Sequence, residues 1–430
     1  MSNLEKRVFR LNEICKIKSG KRIPKGMDYV TYQTSHPYIR ARDIKSGKIF
    51  TDDLIYIKDE VYKKIRKYII QKGDIAITVV GASVGDTGYA TESVDGYNLT
   101  ENAVRLTNFT EDVDSKFLHY VLMQKHYYDY MQLIAGAAAQ PKLGIYKIQK
   151  IRVVLPKVSI QKRIADILTT YDNLIENNNK RIKLLEQMAE NLYKEWFVRF
   201  RFPGFENVEF VDSSLGKIPS TFDLVKIGKV IEYYIGGGWG EEELSEQFPK
   251  EAYVVRGTDF PNVKQGILDS CPLRYHKSSN YNKRSFKVND IAFEVSGGTQ
   301  KQPVGRSILI TERQLKRFNN RLICASFCKL IRCDIKKVSP RYFYHWLEYL
   351  YETRIIEQYQ SQSTGIINFK FEYFLRKCNL LLPPKDIMEK FTESVKPIYD
   401  EIDNLAEQNS KLEAQKDMLL PRLMSGKLKV

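Results

Sequence analysis

The sequence has no run of about 18 apolar residues, the length a membrane-spanning helix needs, so no such helix is expected. Its opening, MSNLEKRVFRLNE, lacks the apolar core of a secretory signal peptide. Cysteine is scarce. The six cysteines (Cys15, Cys271, Cys324, Cys328, Cys333, Cys378) form no CxxC pair. That excludes a thiolate zinc ribbon and a disulfide framework, and it fits a reducing, cytoplasmic setting. Cys324 and Cys328 read as core residues flanking a strand. Among five histidines the nearest pair, His119 and His126, is seven apart on an aromatic stretch, a spacing for packing rather than for a metal. No GxxxxGK[ST] loop occurs: GASVGDTG lacks the lysine that would reach phosphates. GGGWG (236–240) lacks the strand and spaced third glycine of a dinucleotide fingerprint. The Asn-Pro-Pro-aromatic motif of adenine methyltransferases is missing. Asp290 and Glu294 have no lysine beside them to complete a metal-nuclease centre, and Asp290 reads as a turn residue before a buried strand. The chain reads as a binding protein without a catalytic centre, cofactor site or metal site of its own.

What is abundant is positive charge, a net +16 over 430 residues. An excess of this size points to an anionic partner, nucleic acid first, with plain solubility as the alternative. The charge is concentrated. Residues 1–154 hold 25 Lys and Arg against 17 Asp and Glu, and residues 206–381 hold 26 against 20. Residues 382–430 are slightly acidic, 8 against 9. Two basic bodies suggest two binding surfaces.

Between and after these bodies lie two heptad stripes. Ile164, Leu168, Tyr171, Ile175, Asn178, Ile182, Leu185, Ala189 and Leu192 alternate in steps of four and three. So do Phe391, Val395, Ile398, Ile402, Leu405, Asn409, Leu412, Lys416, Leu419 and Leu423. Each stripe makes one helix face for a partner helix, and each is the other's natural partner. In a duplicated chain the natural pairing is antiparallel. Asn178 and Asn409 fall on the seam. A polar seam residue either fixes register or is tolerated where the seam is exposed.

The chain repeats itself. At an offset of 216, Gly20, Arg40 and Asp43 match Gly236, Arg256 and Asp259, and QKGDIAITVVG (71–81) matches KVNDIAFEVSG (287–297). The offset reaches 220 at Val84-Gly85 and Val304-Gly305, placing a four-residue insertion in the loop that begins at Gly297. LPKVSIQKRI (155–164) recurs as LPPKDIMEKF (382–391). Each half alternates strands with glycine loops, then an aromatic helix, then a strand feeding the heptad helix. The expected fold is therefore α+β: two duplicated globular domains, at 1–154 and 202–381, joined by two long antiparallel helices, at 155–201 and 382–430, that form a coiled coil.

The stretch LPKVSIQKRIADILTTYDNLIENNNKRIKLLEQMAENLYKEWFVRFRFPG resembles the central conserved region of type I restriction-modification specificity subunits. The end, with its closing LLPRLMSGKL, resembles their C-terminal region, so the resemblance spans the whole chain. It implies two target recognition domains, each reading half of a bipartite double-stranded DNA target. It implies that the paired helices dock two adenine methyltransferase subunits, with Ile164, Leu168, Tyr171, Ile175, Ile182 and Leu185 facing Ile398, Ile402, Leu405, Leu412 and Leu419. S-adenosylmethionine, ATP and magnesium would then be held by partner subunits, among them two motor-nuclease subunits where DNA is cut. The alternatives are a recognition subunit of another restriction-modification class, or a coiled-coil scaffold for acidic proteins.

Two domains that read different half-sites cannot do so with shared residues. Arg40 and Arg256, each with its aspartate three residues on, are thus structural ion pairs or phosphate contacts, and Arg42 belongs to the same DNA-facing group. Base readers are expected where the halves differ: GKRIPKG (20–26), the loop after Gly81 and GAAAQPKLG (136–144) in the first, SGGTQKQPVGRS (296–307) and SQSTGIINFK (361–370) in the second. Lys21, Arg22 and Lys142, and Gln300, Lys301, Gln302 and Asn368, have the chemistry to address guanine or adenine. The helices would act as a ruler. The first stripe covers 28 residue steps, roughly 42 Å at about 1.5 Å each, or about twelve base pairs.

Overall fold

A computed structural model describes residues 6–137, 139–264, 270–298, 302–363, 366–428 and 430. The chain forms two compact units, Met1–Asn173 with Ala414–Val430, and Leu174–Glu413.

The first unit is organised by a four-stranded antiparallel sheet. Its strands run in the order Lys16–Ser19, Ala103–Thr107, Ile75–Thr78, Thr87–Tyr89. Every residue of the two central strands is buried, so the sheet is covered on both faces. The aromatic helix Ser115–Leu122 packs on it, and Asp114 caps that helix by accepting from the Phe117 amide at 2.8 Å. A smaller sheet, Ile55–Tyr56, Pro37–Ile39, Asn98–Leu99, sits beside it with one parallel pair. The opening strand Arg7–Arg10 pairs with Arg152–Leu155, the strand that feeds the long helix.

The second unit repeats this plan with different side chains. Its sheet runs Ile231–Gly236, Cys328–Cys333, Ile291–Glu294, Ser307–Leu309. Its smaller sheet, Leu273–His276, Lys250–Val255, Leu322–Cys324, again has one parallel pair. Asp223–Lys226 pairs with Asn379–Leu382 as Arg7–Arg10 pairs with Arg152–Leu155. Cys324 closes one strand and Cys328 opens the next, both buried. Burial pushes the Cys324 thiol up to about 12, leaving it protonated and inert.

The repeat seen in the sequence needs one correction. The bulge between Ile231 and Tyr233 adds a residue to the first strand of the second sheet. Ser19 faces Val104 while Gly236 faces Lys329, and the Gly20 amide bonds to Ala103 O while the Gly237 amide bonds to Cys328 O. The counterpart of Gly20 is therefore Gly237, not Gly236.

The heptad stretches are single helices, Val158–Tyr193 and Lys385–Ser425. Within the first unit, Ile164, Ala165 and Leu168 bury together with Leu423, and Lys416 Nζ meets Asp172 at 2.6 Å. Within the second, Ile182 buries with Ile402, Leu405 and Ala406, and Arg181 meets Glu401 at 2.7 Å. Numbers rise along one helix as they fall along the other, so the pairing is antiparallel. The stripe is the packed line: Ile175 is buried, and Tyr171, Leu185, Ile398, Leu412 and Leu419 are half-buried. Asn178 and Asn409 are buried as well, which excludes the exposed-seam reading.

Candidate nucleic-acid interface

Antiparallel pairing gathers alternate loops at one end of a sheet. In the first unit that end is where Ser19 and Thr78 finish their strands and Ala103 and Thr87 begin theirs. Backbone bonds tie the emerging loops together. The Lys21 amide donates to Leu99 O at 2.8 Å, and the Val79 amide to Asn102 O at 2.8 Å. Val79 O accepts from the Leu143 amide at 2.9 Å, and the Gly81 amide donates to Pro141 O at 3.1 Å. The three segments nominated from the sequence, 20–26, the loop after Gly81 and 136–144, thus share one surface.

The second unit makes the same bonds. The Gly238 amide donates to Cys324 O at 2.9 Å, and the Val295 amide to Phe327 O at 2.8 Å. Val295 O accepts from the Phe369 amide at 2.9 Å. Ser296–Gly298 and Gln360–Ser363 flank Ile366–Phe369 in one three-stranded sheet, so both nominated segments meet here too. Glycine is required at the corner. A Cβ on Gly20 would sit 2.0 Å from Thr100 O, and one on Gly237 would sit 2.1 Å from Ala325 O.

The shared arginines are held identically. Arg40 donates to Asp43 through Nε at 2.9 Å and Nη2 at 2.8 Å, and Arg256 donates to Asp259 at 2.8 and 2.9 Å. Each aspartate also accepts the arginine's own amide. Burial works against the charge on Arg40, but the hydrogen bonds and attraction of Asp43 hold its pKa above the usual value. These forks are committed inside the turn. Arg42 reaches Asp53 and is otherwise exposed.

The varied positions behave differently. Lys21 is exposed, with its ammonium 5.6 Å from the Tyr68 ring, and Lys142 is exposed with no ion pair to any described residue. Arg22 is exposed and bonds Glu101 at 2.6 Å. Gln302 is exposed, and Asn368 is half-buried and accepts from Ser296 Oγ at 2.8 Å. Gln300 and Lys301 lie outside the described residues.

Towards the opposite end of each sheet lies an ion pair, Asp74 with Arg105 at 2.8 Å, both buried, and Asp290 with Arg332 at 2.6 Å, where the aspartate is buried and the arginine half-buried. Asp290 does cap the turn, accepting the Lys287 amide at 2.7 Å, and the bonds it accepts from Arg332 hold that arginine's pKa up. The second unit adds a pair of its own, Glu294 with Arg306 at 2.5 Å. Thr78 stands where Glu294 does, and Ala41 stands where Gly257 does. A Cβ on Gly257 would lie 2.2 Å from Glu294 Oε1, so the glycine makes room for the glutamate.

The sequence reading missed Trp239. It stands opposite Arg22 once Gly237 is matched to Gly20, is 40% exposed, and has the Arg274 guanidinium 4.9 Å above its ring. The signal was GGGWG, hidden by the one-residue bulge. Among the described residues no group of His, Cys, Asp and Glu could hold a metal ion, and no helix is long and apolar enough to cross a membrane.

Residues 3–187 match the family described as the type I restriction modification DNA specificity domain. The type I restriction enzyme MjaIX specificity subunit of Methanocaldococcus jannaschii is 25% identical over 87% of this chain and 82% of its own length. The type I restriction enzyme HindI specificity subunit of Haemophilus influenzae is 21% identical over 91% of this chain and 94% of its own. A crystal structure of a type I restriction-modification S subunit from M. genitalium has a similar fold, with a TM-score of 0.55 at 14% identity, covering 98% of this chain and 97% of that one.

Proposed function

The chain belongs to the type I restriction-modification specificity-subunit family, and from that premise we propose that its two sheet ends read the two halves of a bipartite DNA target. The observation that carries this reading is the pair of matching corners. The same backbone bonds, from Val79 and from Val295, root loops of different sequence. A common frame with exchanged side chains suits two sites that read different bases. Lys21, Arg22 and Lys142 would address bases at one corner, and Gln302, Asn368 and Trp239 at the other. Gln300 and Lys301 belong to the same loop as Gln302. Arg or Lys can bond guanine O6 and N7, and Gln or Asn can bond adenine N6 and N7. Arg40 and Arg256, fixed by their aspartates, would stiffen both corners and supply the sequence-neutral part of the contact.

The chemistry would reside in partners. Two adenine methyltransferase subunits would dock on the outer faces of the helix pair and bring S-adenosylmethionine. Two motor-nuclease subunits, with ATP and magnesium, would complete a complex that cuts. Incorporation of labelled methyl groups tests the division of labour: the purified chain alone should give none, and the chain with its methyltransferase should methylate one split motif. A motif that is continuous, or methylation by the chain alone, would overturn the reading.

A further inference from the structure

The two units share a frame, but the stretch that follows the corner glycine differs in charge between them. Residues 20–72 carry 13 Lys and Arg against 6 Asp and Glu, whereas the corresponding residues 237–288 carry 8 against 7. The difference has a location. In the first unit the short helix Asp59–Ile65 and the turn after it present Lys58, Lys63, Lys64, Arg66 and Lys67, all exposed. None of the five makes an ion pair with any described residue. Two acids share the helix: Asp59 lies 2.6 Å from His36 Nε2, Glu60 is exposed, and neither pairs with any of the five.

This basic surface adjoins the reading loop. Val61 and Ile65 pack in one cluster with Tyr38, and Ile23 of the 20–26 loop and Met27 just after it close over the cluster. Ile65 O accepts from Asn98 Nδ2 at 3.0 Å, Tyr68 O accepts from the Leu99 amide at 2.9 Å, and Leu99 O accepts from the Lys21 amide. Three bonds therefore fix the helix end against the corner from which Lys21 and Arg22 project. The short span also rules out a swinging arm, since the cations are borne on backbone held by the sheet.

The corresponding helix of the second unit, Ser278–Arg284, is spent on its own domain. Lys277 lies 5.4 Å from the Phe248 ring, and Arg284 donates to Gly236 O at 2.9 Å and to Asn280 at 3.0 Å. Lys283 and Lys287 remain. Glu241, Glu243 and Glu246, all exposed, follow Trp239 where the first unit has Lys25.

We propose that the face formed by Lys58, Lys63, Lys64, Arg66 and Lys67 is a clamp for DNA backbone phosphates that only the first unit possesses, so the protein grips its two half-sites unequally. The inference rests on the DNA-binding reading above. Unpaired cations on a rigid surface release counterions when they meet phosphates, and the contribution is independent of base sequence. The first unit would supply most of the indiscriminate attraction. The second lacks this cationic helix and would contribute chiefly through base contacts.

The test uses the full chain and a random-sequence duplex, with affinity measured by fluorescence anisotropy across a potassium chloride series. A variant with Lys63→Gln, Lys64→Gln, Arg66→Gln and Lys67→Gln should lower the slope of log affinity against log salt by roughly 3 to 4, about 0.9 for each phosphate no longer neutralised. The loss should be equal on duplexes of unrelated sequence. The arginine variant of the three lysines should retain the slope, which separates charge from folding. Lys283→Gln with Lys287→Gln should change it by less than half as much. A full salt slope in the glutamine variant would overturn the clamp and leave a solvated face only. A loss confined to one sequence would overturn it in favour of base reading. Wild-type binding without salt dependence would instead overturn the DNA-binding reading, and the clamp with it.

Discussion

Asn178 donates through Nδ2 to Oδ1 of Asn409 at 2.9 Å, across the seam of the helix pair. Asn409 in turn donates to Asn179 Oδ1 at 2.8 Å. Two buried amides are satisfied only when these turns lie opposite each other, so any slip of one helix along the other leaves polar groups unpaired.

Replacing Asn178 by Ala should cost about 1 to 3 kcal/mol, because Asn409 Oδ1 loses its donor in a buried seam. Replacing both Asn178 and Asn409 by Leu should cost less than the single change, at the expense of a defined register. Urea unfolding of the three proteins checks the order. A double variant less stable than the single one would contradict it.

Arg40→Lys should weaken DNA binding by a similar factor on every sequence and leave the methylated motif unchanged. Lysine keeps the charge but cannot make the two-pronged bond to Asp43, so the corner loosens without losing its readers. Gln302→Ala should do the reverse, relaxing one half of the motif while the other half stays fixed. Methylation mapping in cells separates these outcomes, and an altered half-site in the Arg40 variant would argue against its structural role.

Adding seven residues to each helix, after Asn173 and after Glu413, should lengthen the unread gap of the target by about three base pairs. A heptad adds about 10 Å at 1.5 Å per residue and keeps the seam facing inward. The half-site sequences should not change. An active variant with the original gap would show that the helices do not set the spacing.

Acid should destabilise the first unit below about pH 6.5. Burial lowers the pKa of His119 from 6.5 to about 3, and its Nε2 has no hydrogen-bond partner among the described residues. The folded state therefore holds the ring neutral while the unfolded chain takes up a proton as pH falls. Stability from this group is fully present above pH 6.5 and is lost between there and pH 3, at about 1.4 kcal/mol per pH unit. Hydrogen exchange in the helix Ser115–Leu122 should follow that slope, and His119→Gln should flatten it.

Much of this was legible in the sequence because it is local or periodic. The steps of four and three from Ile164 to Leu192 depend on nothing beyond one helix, and the seam asparagines mark themselves by breaking the pattern. The repeated DIA motif carried the duplication because Ile75 and Ile291 open buried central strands. What stayed hidden depends on pairing. Arg332 meets Asp290 across 42 residues, a contact that neither residue announces. The bulge at Glu232 leaves no compositional mark, so Gly237 was misaligned and Trp239 overlooked. Nothing in the order of Lys63, Lys64, Arg66 and Lys67 shows that Leu99 and Tyr68 hold this stretch at the corner.

Gly257 also constrains the protein's history. Its space is filled by Glu294, 2.2 Å from where any β-carbon would lie, whereas the first unit keeps Ala41 beneath Thr78. A gene conversion or crossover that copied the alanine into the second unit without also copying the threonine would create a clash under that unit's corner. The two positions should be inherited as a block. Exchange of reading specificity between the halves should therefore succeed when the breakpoints lie outside this pair and fail when one falls between its members.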